Sequence, residues 1–138
     1  MKIIFVTGTD TNCGKTYTMC SWLRQLKQNN YRAHGLKPVV SGVEYDGNRR
    51  YWSDLELIGF ENKQDPHSTA HLPMVYQAYD PPIAPHIAAE KVNKPIIYQD
   101  LLAFCQQSCF DDLDYLLIEG AGGLLVPLDN EHTWLDLI

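Results

Sequence analysis

Val6-Thr7-Gly8-Thr9-Asp10-Thr11-Asn12-Cys13-Gly14-Lys15-Thr16 follows the apolar run Ile3-Ile4-Phe5 and leads into a helical pattern. A strand that feeds a Gly-rich turn ending in Gly-Lys-Thr reads as a phosphate-binding loop. Consecutive backbone N–H groups at a helix start point at one spot, and the helix dipole adds positive potential there. Lys15 would reach the terminal phosphates as a mobile point charge, and the Thr16 hydroxyl would ligate a magnesium ion bridging them. Five residues separate Gly8 from Gly14 where the strict pattern has four, and Thr9 stands where the first Gly would be.

Working outward, Tyr17, Cys20, Leu23 and Leu26 follow helical spacing, with Arg24 and Lys27 expected toward solvent and an end near Gln28-Asn29-Asn30. Ala33 to Val40 reads as a second strand, with Pro38 placing a break or edge near its end. Strand, helix, strand is the unit of a parallel sheet, whose ligands bind beyond the C-terminal strand ends. The fold expected is therefore α/β, a layered P-loop type with a mainly parallel sheet flanked by helices, in a single domain over residues 1–138. Val43 to Pro95 is polar and irregular, with short helices expected over Ser53 to Ile58 and Pro85 to Glu90. Tyr98 to Cys109 shows helical periodicity, which would put Cys105 and Cys109 on one face. Tyr115-Leu116-Leu117-Ile118 is a buried strand delivering Glu119 and the glycines after it to the crevice of the loop.

The 138 residues are 45% hydrophobic with a net charge of −6, enough for a core and too acidic for general nucleic-acid binding. No apolar run reaches the length of a membrane span, and Met1-Lys2 opens directly into a strand, so a cytoplasmic protein is expected. Cys13, Cys20, Cys105 and Cys109 lack the paired spacing of a zinc site and read as reduced thiols. Cys13, at a helix N-terminus, has surroundings that lower a thiol pKa, although a space-filling role is favoured.

A strand ending in an acid is how phosphate-loop enzymes hold magnesium beyond the loop Ser/Thr, and Glu119 fits. Asp54 reads first, with Ser53, as a helix cap. Lys37, at a strand end, is poorly placed for a core and well placed to neutralise an anion. His67 and His71 would share a helix face as solvated surface.

Gly8-Thr9-Asp10-Thr11-x-x-Gly14-Lys15-Thr16, Lys37-Pro38-Val39-x-Ser41-Gly42, Ser53-Asp54, Pro85-His86, Glu119-Gly120-Ala121-Gly122-Gly123 and Pro127-Leu128 together resemble the dethiobiotin synthetase family. The longer loop is that family's own variant. The resemblance implies an ATP-dependent ligase of biotin biosynthesis. In it 7,8-diaminononanoate takes up CO2 as a carbamate, the carbamate oxygen attacks the γ-phosphate of ATP, and the second amine closes the cyclic urea with loss of phosphate. It further implies that Lys15 and Lys37 are catalytic, that Thr16, Asp54 and Glu119 hold Mg2+, and that Thr11, Lys37 and Ser41 position the diamine or its carbamate. Nucleotide would lie along Asn12, Cys13, Gly14, Lys15, Thr16 and Tyr17, with Asp54, and along Glu119, Gly120, Ala121 and Gly122. Asn12 stands where many relatives have Glu, and His86 is expected to be a satisfied structural histidine.

The resemblance covers about three fifths of a typical family member, and the chain stops within a helical pattern at Trp134-Leu135-Asp136-Leu137-Ile138. In the family the nucleobase pocket and much of a homodimer interface come from later segments. Residues 1–138 alone are therefore expected to bind nucleotide weakly and to form no cyclic urea. The alternative is a nucleotide-switched partner-binding ATPase of the same superfamily. Its mark is an extra lysine early in the loop, and none lies between Phe5 and Lys15. Cobyrinate-type amidases share the loop but need a further amidase domain.

Overall fold

A computed structural model describes residues 1–64 and 68–138. Its central strand is β7 (Tyr115–Gly123), flanked by two parallel neighbours, β1 (Lys2–Gly8) and β2 (Ala33–Leu36). Helix α1 (Lys15–Gln28) makes the crossover from β1 to β2. The expected mainly parallel sheet with flanking helices is present, and the order β1-β7-β2 puts the last strand of the chain between the first two.

Pleating explains which side chains go where. Successive residues of β7 point to opposite faces, so Leu116 and Ile118 join the larger core with Leu36, Phe110 and Trp134. Leu117 turns the other way and packs with Met19, Cys20 and Leu23 of α1. Glu119 shares the parity of Leu117 and so faces α1. Register then sets its neighbours: Val6 pairs with Glu119, and β2 runs from Ala33 opposite Tyr115 to Leu36 opposite Ile118, bringing Lys37 level with Glu119.

The strand expected over Ala33 to Val40 is two strands. Pro38 has no N–H to donate, and the chain changes partners there: Lys37 N–H donates to Met74 O, and the Pro38 carbonyl accepts from the N–H groups of Tyr76 and Gln77. Beyond it β3 (Val39–Ser41) pairs in parallel with β6 (Gln77–Tyr79) as a separate ribbon. The free edge of β2 is closed by Asn62, whose side-chain amide accepts from Gly35 N–H at 2.9 Å and donates to Gly35 O at 3.0 Å. Helices can lie that close because Gly35 has no side chain: a Cβ there would stand 2.7 Å from Met19 Cε and 2.8 Å from Ile58 Cγ2.

The irregular region holds more structure than its composition suggested. A hairpin of β4 (Glu44–Asp46) and β5 (Arg49–Tyr51) precedes α2 (Ser53–Asn62), and β6 precedes α3 (Pro85–Lys91). The two helices begin at the expected residues. Helix α4 (Tyr98–Cys105) is shorter than its pattern, giving way to a 3-10 turn over Ser108–Phe110. Cys105 is therefore buried and Cys109 exposed, and they share no helix face. The last helix, α5 (Trp134–Leu137), starts at a capping box in which Thr133 and Asp136 satisfy each other's polar groups.

Helix α1 departs from its expected faces. Its buried stripe is Met19, Cys20, Leu23 and Lys27, while Tyr17 is exposed. Lys27 lies four residues beyond Leu23 on the covered side, and its ammonium donates to Asn62 O at 2.9 Å. Burial holds its pKa down to about 8. His71 lies in a turn rather than on a helix, and His67 falls outside the described residues.

Candidate active site

The site is built where β1, β2 and β7 end beside the start of α1. A cleft of about 1150 Å³ opens there, lined by the loop from Gly8 to Asn12, by Lys15, Lys37 and Ser41, by Asp54 and by Glu119, Ala121, Gly122 and Gly123. Helix α1 begins at Gly14, which takes φ 92°, a left-handed conformation that costs glycine little. No acidic residue lies in the first turn, so its free N–H groups and dipole meet no competing negative charge from the helix itself.

Four side chains converge, from α1, α2, β7 and the segment that follows β2. Thr16 Oγ1 lies 2.9 Å from Asp54 Oδ1 and 2.9 Å from Glu119 Oε1. The Lys37 ammonium donates to Glu119 Oε1 at 2.5 Å and to Asp54 Oδ2 at 2.9 Å. Lys37 and Glu119 are almost wholly buried, whereas the Asp54 side chain is 36% exposed on the cleft side. Burial alone would raise the Asp54 carboxyl, but the charge of Lys37 and hydrogen bonds from Lys37 and Thr16 hold it below its ordinary value. Asp54 does not cap α2: the cap position is Trp52, whose indole N–H donates to Tyr79 O at 3.1 Å.

The oxygen set suits a hard cation. Thr16 has one hydroxyl proton for two carboxylate contacts, so one of them brings two lone pairs together. Glu119 Oε2 is buried with no hydrogen-bond partner. Among the described residues no three His, Cys, Asp or Glu side chains are grouped so as to hold a metal ion by themselves. The oxygens at hand are therefore two carboxylates and a hydroxyl, leaving octahedral positions to phosphate and water as magnesium prefers.

Lys15 points differently. Its ammonium donates to Asp10 O at 2.5 Å and lies 3.7 Å from Cys13 Sγ. Cys13 is exposed, with its thiol donating to Asp10 O and packing over Gly8. The backbone at Asp10 and the nearby Lys15 charge hold the Cys13 thiol below its usual pKa.

Of the sequence candidates, Thr11, Asn12, Gly14, Lys15, Thr16, Tyr17, Lys37, Ser41, Asp54, Glu119, Ala121 and Gly122 line the cleft. Cys13 and Gly120 do not. Gly120 faces the opposite side, where a Cβ would stand 3.0 Å from Phe5 Cζ and 3.4 Å from Trp134 Cδ2. His86, expected to be satisfied, has a buried Nδ1 without a partner. Residues that no motif marked also form walls: Glu44 from the hairpin, and Ile83, Leu125 and Val126 from loops. Their sequence signal is only adjacency: Glu44 to Ser41-Gly42, Ile83 to Pro85-His86, and Leu125 and Val126 to Pro127-Leu128.

Fold and loop together define a layered α/β protein of the P-loop type. A family profile described as an AAA domain matches residues 2–138, and the chain belongs to that family. It is 37% identical over its whole length to a protein named ATP-dependent dethiobiotin synthetase BioD from Legionella pneumophila. It is 36% identical, again over its whole length, to one of the same name from Francisella tularensis, and 37% identical over 94% of its length to one from Marinobacter nauticus. The chain spans about three fifths of the length of these relatives: 61%, 59% and 54%. Among the described residues no helix is long and apolar enough to cross a membrane.

Proposed function

We infer that this chain carries the phosphate loop, cation ligands and catalytic lysines of an ATP-dependent dethiobiotin synthetase. The reaction is closure of 7,8-diaminononanoate and CO2 to the cyclic urea, with ATP spent on the carbamate oxygen. The observation that carries this reading is the convergence of Thr16, Lys37, Asp54 and Glu119 beside the loop that holds Lys15. The names of the relatives support it, and they lend nothing to a partner-switching ATPase.

Thr16, Asp54 and Glu119 would hold Mg2+, which supplies charge neutralisation on the ATP phosphates and fixes their orientation. First-turn N–H groups of α1 bind phosphate oxygens, and Lys15 leaves the neutral Asp10 carbonyl for the charge of the β- and γ-phosphates. Lys37 stabilises negative charge on the carbamate and the transferring phosphoryl group. Thr11 and Ser41, which both line the cleft, orient the diamine or its carbamate. Positioning and charge neutralisation of this kind supply most of the catalysis of phosphoryl transfer. The protein would act in the cytoplasm, as a homodimer.

The test is isotopic. The product of the complete gene is incubated with labelled bicarbonate, diaminononanoate, ATP and magnesium, and acid-stable label is sought in a diamine-derived product. Label that depends on Lys15 supports the reading. Phosphate release that ignores the diamine and responds to a protein partner would replace it.

A further inference from the structure

The two carboxylates suited to a metal ion already hold a cation of the chain's own. Lys37 Nζ sits 2.5 Å from Glu119 Oε1 and 2.9 Å from Asp54 Oδ2, on the same acids that Thr16 Oγ1 touches from the other side. The same ammonium is needed on the carbamate and the γ-phosphate in the function proposed above. One ammonium cannot neutralise both.

The geometry points to an exchange: a divalent cation and the Lys37 ammonium compete for Asp54 and Glu119. Lys37 thus turns from the two carboxylates toward the cleft when the metal binds. This rests on the cation reading above. Two carboxylates and one ammonium leave the trio at −1, whereas adding a divalent ion with Lys37 in place would leave it at +1 in a buried, poorly screened site. Repulsion between the two cations then favours departure of the one on a flexible stem. The backbone is not free to follow. Lys37 N–H is held by Met74 O at 3.0 Å, and Pro38 next to it accepts from Tyr76 and Gln77, so the exchange is confined to side-chain rotation. The exposed flank of Asp54 marks the way out into the cleft.

Lys15 makes the contrast. Its partners are a carbonyl oxygen and a thiol, neither a carboxylate, so it meets an incoming phosphate at little cost. One lysine is free of carboxylates, and the other is held by two of them.

Mn2+ serves as the probe, its binding read by electron paramagnetic resonance with and without ATP. Lys37→Met should bind Mn2+ without nucleotide roughly tenfold more tightly than wild type, because the competing charge is gone. In the wild type, brief amine acetylation followed by mass spectrometry should show Lys37 protected without metal. Saturating Mn2+ should raise its labelling about fivefold or more relative to exposed Lys91, and this readout decides the matter even if the variant does not fold. If Mn2+ binds but neither the affinity nor the labelling moves, the exchange is wrong and the cation site stands. If the wild type binds no Mn2+ even with ATP, the cation site falls and the exchange with it.

Discussion

Lys37, the residue after β2, and Glu119 on the adjacent parallel strand β7 meet at 2.5 Å, with their side chains 5% and 1% exposed. Neither position is near the other in the chain; parallel register alone makes them neighbours. A buried ammonium between two carboxylates contributes little net stability, since desolvation offsets attraction, so its presence argues for chemistry.

Lys37→Gln in the complete enzyme should lower turnover by roughly a hundredfold or more, as when a charge acting on a transition state is removed. Steady-state kinetics of dethiobiotin formation checks this. Unchanged turnover would return Lys37 to a purely structural role.

The loop is packed tightly enough for one methyl group to matter. A Cβ at Gly8 would stand 2.3 Å from Cys13 Sγ and 3.3 Å from Lys15 Cγ. Gly8→Ala is expected to cost about 1–3 kcal/mol and to weaken nucleotide binding about tenfold. Adding Cys13→Ala should restore most of both losses. Titration with a fluorescent ATP analogue and urea unfolding measure the two, and absence of rescue would place the clash elsewhere.

Asn12 takes φ 57°, which Asn tolerates better than most residues. Its place in the loop is then conformational, and Asn12→Gly should stay within about threefold of wild type in kcat/KM. Asn12→Ala should lose less than about tenfold, worth no more than ~1.4 kcal/mol. A loss in the glycine variant as deep as that of Lys37→Gln would give the amide a direct part in the reaction.

His34 predicts the acid side of stability. It is wholly buried, Nε2–H donates to Pro73 O at 2.8 Å, and Nδ1 accepts from the Thr69 hydroxyl at 2.9 Å. Burial lowers its pKa from 6.5 to about 4, only partly opposed by the Pro73 carbonyl. The unfolded chain therefore binds a proton near pH 6.5 that the folded chain takes up only near 4. The associated stability is complete above pH 6.5 and is lost as pH falls toward 4, by about 3 kcal/mol. Urea unfolding across pH 4 to 8 should show this slope, and His34→Gln should flatten it. An equal slope in the variant would assign the effect to other groups.

What could be read from residue order is what depends on near neighbours. The strand, loop and helix around Gly14-Lys15-Thr16, the starts of α2 and α3 and the buried run into Glu119 follow from periodicity, turn chemistry and short-range hydrogen bonding. The identities of Lys15, Thr16, Lys37, Ser41 and Glu119 as cleft residues were legible in the same way, whereas Asp54 read as a helix cap and was placed in the site only by the family resemblance. What could not be read depends on which surfaces meet. Lys27 looked like a solvent residue until α2 covered it, and Cys109 was expected on the same helix face as Cys105 until the helix stopped between them. Pro38 split one apolar run into two sheets because a separate segment, Met74 to Tyr79, offered the partners. The trio of Lys37, Asp54 and Glu119 is likewise a product of packing: register sets two of its members side by side, and the α2 start delivers the third. Periodicity and capping act over a few residues and are carried by the sequence. Burial, pairing of charges and the choice of hydrogen-bond partners act through space, and they exist only once the β7 strand lies between β1 and β2.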